Sequence, residues 1–146
     1  MIRYFLSLGI FFAGVISTII VSGGSPLFFI NLPSFIIVGI LPFLFVSTIF
    51  GFKEMAWAFS ITLKKEVDKE ELLNALNFFK YFGKTIWIAS LIAVLIGVIT
   101  ILGFLGDMSA LGQNLSIALI SILYSALFNI VIIIPFTVFI KKKMNE

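Results

Sequence analysis

Neither cysteine nor histidine occurs in this chain of 146 residues. Disulfides, thiolate nucleophiles, zinc-finger ligand sets and histidine acid–base catalysis are thereby excluded. Charge is scarce as well. Only 12% of residues are Asp, Glu, Lys or Arg, against about a quarter in soluble domains. Hydrophobic residues make up 61% of the sequence, and the mean hydropathy is +1.22. These values place the chain among integral membrane proteins. The net charge of +3 does not point to nucleic acid, because the cations lie beside apolar runs, where they set membrane orientation.

Three stretches contain no acidic or basic residue: Tyr4 to Phe52, Thr85 to Gly106 and Met108 to Ile140. A single crossing needs about 20 apolar residues. The first stretch is too long for one crossing and is punctuated by Ser22-Gly23-Gly24-Ser25-Pro26 and Asn31-Leu32-Pro33-Ser34. Such glycine and proline clusters mark turns. The expectation is an all-α membrane protein, one membrane domain over 1–146, with four spans near 4–21, 34–52, 85–105 and 113–138. The first span lacks an A-x-A-like cleavage site and is longer than a signal-peptide core, so a retained helix is expected rather than a cleaved leader.

All ten cations can be placed on one side of the membrane. Arg3 precedes the first span; Lys53, Lys64, Lys65, Lys69, Lys80 and Lys84 separate the second from the third; Lys141, Lys142 and Lys143 follow the fourth. The opposite loops, 22–33 and 106–112, carry only Asp107. The positive-inside rule then assigns both termini and segment 53–84 to the cytoplasm. Within that segment Asp68-Lys69-Glu70-Glu71 reads as a helix start, with Asp68 as cap and Glu71 reaching back to it. Leu72, Leu76 and Phe79 follow on one face. A short cytoplasmic helical hairpin that continues spans two and three is expected; a solvated charged loop is the plainer alternative.

The fourth span carries a line of polar side chains. Ser121, Ser125 and Asn129 recur every fourth residue, with Ala118 and Asn114 extending the same face. On span three, Ser90, Ala93, Gly97 and Thr100 also share one face. Small residues let membrane helices approach closely, and hydroxyls can bond across the contact. Two readings stay open: packing of spans three and four on each other, or two stripes facing a central cavity or partner helix. Pro135 is expected to kink the last span. No carboxylate lies inside any span, so any titrating group on an ion route must come from another protein.

Several of these segments resemble the MotA/TolQ/ExbB family of channel-forming motor subunits. The resemblance rests on Ser109-Ala110-Leu111-Gly112, Ile117-Ala118-Leu119, Leu123-Tyr124-Ser125-Ala126-Leu127 and Ile134-Pro135-Phe136 in the last span. The MotA branch is the most similar, through Gly23-Gly24-Ser25, Phe29-Ile30-Asn31-Leu32-Pro33-Ser34 with Ile36-Ile37-Val38-Gly39, and Leu95-Ile96-Gly97 with Leu102 and Asp107-Met108-Ser109. The match covers residues 22 to 140. It implies a bacterial cytoplasmic (inner) membrane subunit, five copies of which encircle two copies of a single-span MotB/ExbD/TolR-like partner that supplies an aspartate. Ser90, Ala93, Val94, Gly97, Thr100, Ala118, Ser121, Ile122, Ser125 and Asn129 would then face the pore or that partner. Val94 and Ile122 stand where typical members carry threonine, and Trp87 where they carry proline. The large cytoplasmic domain of flagellar members is reduced to 53–84.

Two functions follow as expectations: a ring-forming subunit of an ion-driven, stator-like motor, with the proton as the expected ion, or a non-conducting scaffold derived from it. An enzyme is not expected, for want of an acid–base or nucleophile set; nor is a cofactor, a metal or a nucleic-acid partner. The topology is directly testable, because introduced cysteines have no native background. A cysteine at Lys142 or Lys80 is expected to resist an impermeant thiol reagent added to intact cells, whereas one at Gly112 reacts. Outside labelling of Lys142→Cys overturns the orientation.

Overall fold

The computed structural model describes residues 2–64 and 67–145, so Lys65, one of the six cations assigned to segment 53–84, lies outside the described residues. Every regular element among the described residues is helical. Four helices are long and apolar enough to cross a membrane, the signature of a multi-pass membrane protein. The chain divides into two compact units, Met1–Leu32 and Pro33–Glu146.

The first unit is built on α1, Ile2–Val21. Two of its hydroxyls bond locally: Ser7 Oγ donates to the Tyr4 carbonyl and Thr18 Oγ1 to the Gly14 carbonyl, both at 2.9 Å. A helix in hydrocarbon has no water to offer such groups, so they return to the backbone. The helix stops where Gly23 takes φ +76°, a left-handed conformation that costs other residues about 1–2 kcal/mol. A single 3₁₀ turn, Pro26–Phe29, follows.

In the second unit, α2 runs Leu32–Phe50 and α3 Phe52–Ser60. Gly51 between them has φ +86°. Helix α4 spans Lys69–Gly103 and α5 spans Met108–Met144. Asp68 caps α4 by accepting from Lys69 N at 2.7 Å, and Asp107 caps α5 by accepting from Ser109 N and Ala110 N. Both helices exceed the expected spans of 85–105 and 113–138. At 1.5 Å per residue they reach about 52 and 55 Å, against a hydrocarbon core of about 30 Å. The reason lies in the sequence, since no proline interrupts 69–103. The apolar face also stays in phase. Leu72, Leu76, Phe79, Gly83, Ile86, Ser90, Ala93 and Gly97 alternate steps of four and three, and all are buried. That is a heptad seam, the period of a left-handed helix pair.

Beyond the apolar spans the seam widens into an aromatic core. Phe79 packs on Phe136 with ring centroids 4.9 Å apart, on Phe59 at 5.1 Å and on Phe78 at 5.0 Å. Phe50, from the end of α2, reaches Phe78 at 5.6 Å. Buried Met55, Ala58 and Ile61 face the same core from α3 and the turn after it. Lys143 Nζ closes this end by donating to the Ile61 carbonyl at 3.2 Å and to the Lys64 carbonyl. The Lys64 ammonium in turn lies 3.2 Å above the Trp57 ring.

Phe79 is fully buried at the centre of these rings. Phe79→Ala is expected to cost about 3–5 kcal/mol, and Tyr81→Ala, at a 59% exposed position, under about 1 kcal/mol. Thermal unfolding in mild detergent measures both; equal losses would mean that the cluster does not hold this end together.

Candidate functional site

The polar stripes of the third and fourth spans meet along the α4–α5 contact. Two glycines pin it. A Cβ on Gly97 would fall 2.9 Å from the Asn114 carbonyl oxygen and 3.0 Å from Ala118 Cβ. A Cβ on Gly83 would fall 2.8 Å from Ile133 Cγ2 and 3.1 Å from Asn129 Oδ1. Only hydrogen fits at either place, so the helices touch backbone to backbone at Gly97 and backbone to side chain at Gly83. Between these pins the antiparallel register sets Ser90 opposite the turn from Ser121 to Ser125.

Of the ten residues predicted to face a pore or partner, Ser90, Ala93, Gly97, Ala118, Ser121 and Ser125 are buried within the single chain. Of the two readings of the stripes, the seam between α4 and α5 accounts for these six. Val94, Thr100 and Asn129 keep partial exposure, and Ile122 is 43% exposed.

The hydroxyls do unequal work. Ser121 Oγ donates to the Ile117 carbonyl at 2.7 Å. Ser34 Oγ, on α2, donates to the same carbonyl at 3.1 Å and ties the third helix to the pair. Sequence reasoning passed over Ser34, although a serine directly after Pro33 in an apolar run was the available signal. Gly39 adds a second α2–α5 contact, since a Cβ there would come 3.2 Å from Phe128 Cζ. Ser125 differs from these: its Oγ is buried with no hydrogen-bond partner among the described residues. Asn129 Nδ2 and Asn114 Nδ2 bond back to the Ser125 and Ala110 carbonyls at 2.9 and 2.7 Å.

Pro135 sits just after a widened π turn, Asn129–Ile133, in which Ile134 N donates to the Asn129 carbonyl five residues back. Pro42 follows an equivalent turn in α2, Ile36–Ile40, where Leu41 N donates to the Ile36 carbonyl. The proline ring cannot sit against an ordinary turn, and one extra residue relieves the clash while the N–H just ahead of the proline keeps an acceptor.

The site holds amides and hydroxyls and no carboxylate, so it can pack and hydrogen-bond but cannot itself titrate near neutral pH. Among the described residues no group of three His, Cys, Asp or Glu could hold a metal. The carboxylates lie elsewhere. Glu71, expected to reach back to the α4 cap, lines a cleft of about 210 Å³ with Glu54, Asn74 and Trp57. No protein-family model matches the chain, and no curated protein matches it significantly.

An orphaned buried hydroxyl carries a desolvation penalty of about 1–3 kcal/mol. Ser125→Ala is therefore expected to leave stability unchanged or raise it, whereas Gly97→Val costs about 1–3 kcal/mol through overpacking. Gly14→Val, with nothing within 4 Å of the new Cβ, is the control. Thermal midpoints in one detergent decide; a large loss from Ser125→Ala would mean that the hydroxyl is not orphaned.

Proposed function

We propose that the chain is a ring-forming membrane subunit of an ion-driven, stator-like complex, similar to MotA, ExbB and TolQ. In this reading five copies surround a dimer of single-span partners, and both termini and the 53–84 hairpin lie in the bacterial cytoplasm. One observation carries it: α4 and α5 continue unbroken for 35 and 37 residues, locked by a seam that admits no Cβ at Gly83 or Gly97. In this reading such a pair carries a displacement in the membrane to the aromatic core at its far end. An ion-driven motor needs a rigid link of that kind. The partner brings the carboxylate that the spans lack, and it meets the residues that keep exposure, Val94, Thr100, Ile122 and Asn129.

A specific observation favours the scaffold reading as well. Ser90, Ser121 and Ser125 are enclosed within one chain, leaving apolar Val94 and Ile122 on the open side. Apolar constrictions exclude water from narrow passages, and a ring lined by them assembles without conducting. Flux separates the two readings. The purified chain in liposomes is expected to be silent, and proton flux to appear once a single-span partner with an intramembrane aspartate is co-reconstituted. Changing that aspartate to asparagine is expected to abolish it. Flux from the chain alone overturns the motor mechanism, silence in all three preparations favours the scaffold, and a monomer by native mass measurement overturns both.

A further inference from the structure

The contact between α2 and α4 is incomplete on one side. Leu41, Pro42 and Phe45 of α2 and Ile88, Ala89 and Ile92 of α4 line a groove of about 290 Å³, near the lower end of ligand-sized pockets. Its origin is local. The π turn ahead of Pro42 widens α2, and Ala89 presents only a methyl group opposite. The hydroxyl on its wall is already engaged: Thr85 Oγ1 donates to the Tyr81 carbonyl at 2.9 Å. The groove therefore offers a guest apolar contact and no free donor.

Its charged end is built differently. Residues 81, 85, 88 and 92 share one face of α4, so Tyr81 stands one turn beyond the groove at 59% exposure. The Phe50 ring steadies Tyr81, with centroids 6.1 Å apart. Lys84 is exposed beside it and is the last cation before the charge-free run that begins at Thr85. Tyrosine and lysine at the end of an apolar span meet lipid headgroups.

We propose that this groove binds one acyl chain of an anionic phospholipid whose phosphate rests on Lys84 and the Tyr81 hydroxyl. Hydrocarbon is the only chemistry the walls favour, and the charge at the mouth selects the headgroup. One lysine at a charged interface is worth about a five-fold preference. The site stands apart from the α4–α5 seam and does not depend on the motor reading.

The test is native mass spectrometry of the full chain in detergent with phosphatidylglycerol or phosphatidylcholine. The unmodified chain is expected to retain phosphatidylglycerol about five-fold better. Lys84→Gln, a change at an exposed position, is expected to erase that preference while the tail still binds. Ala89→Phe, which fills the groove, is expected to abolish retention of both lipids, and thermal midpoints verify that it folds. Equal retention of the two lipids by the unmodified chain overturns the headgroup assignment, and undiminished retention by Ala89→Phe overturns the groove. A disulfide formed in native membranes between Ala89→Cys and a cysteine placed along α1 overturns the proposal too, because a helix then occupies the groove.

Discussion

Hydrocarbon removes the force that normally drives helices together, because lipid tails solvate apolar side chains as well as other helices do. What remains is close contact. The α4–α5 seam supplies it, and its composition changes where the surroundings change. In the charged third of α4 the seam positions are Leu72, Leu76 and Phe79, large groups that gain from leaving water. From Gly83, at the edge of the apolar run, they become small, with Ser90, Ala93 and Gly97 following and only Ile86 interrupting. One heptad register thus serves two solvents, with bulk where water drives burial and smallness where only proximity attracts. Helix α2 then docks on a pair that is already fixed, through Ser34 on the Ile117 carbonyl and Gly39 under Phe128.

Continuity through the membrane requires a way to pass proline. Pro42 and Pro135 each remove an N–H from a helix that has no water to compensate. In both cases a five-residue π turn precedes the ring, and the donor just ahead of the proline reaches one residue further back. The inserted residue also corrects the helix phase. On α5 the buried positions step from Ser121 to Ser125 and then to Ile133 and Ile140. Eight residues rather than seven separate Ser125 from Ile133, and the widened turn absorbs the difference. The same side of α5 faces α4 on both sides of Pro135.

Much of this was legible in the sequence, for physical reasons. Charge-free runs marked the apolar helices, Gly23 lay in the turn cluster after the first of them, and Asp68 announced the start of α4, whereas the break at Gly51 fell inside the expected span 34–52 and went unread. The stripes of α4 and α5 were visible as small-residue faces, yet their target was not. A small-residue face looks the same whether it meets its own neighbour, a second copy or a partner, since close approach makes the same demand in each case. The continuation of span three back toward Asp68 was expected, but the single phase of its buried face was not. The run from Leu72 to Phe79 and the run from Ser90 to Thr100 were read separately because Lys80 and Lys84 lie between them. Gly83 and Ile86 join the two in a single heptad frame. The π turns left only their prolines in the sequence, because the extra residue that forms each turn has no side-chain signature.

The hold of Lys143 on the Ile61 and Lys64 carbonyls spans 82 and 79 residues of chain, which bears on the order in which the molecule can be made. The turn at 61–64 leaves the ribosome long before its latch exists, and Phe59 and Phe79 are likewise made before Phe136. Synthesis at about 5–20 residues per second leaves that end of the molecule open for several seconds while α4 and α5 emerge. Until then the carbonyls of the 61–64 turn lack the Lys143 ammonium, and the aromatic core lacks the Phe136 ring. Phe136 and Lys143 are thus the last parts of that end to be made, after every residue of the small-residue seam.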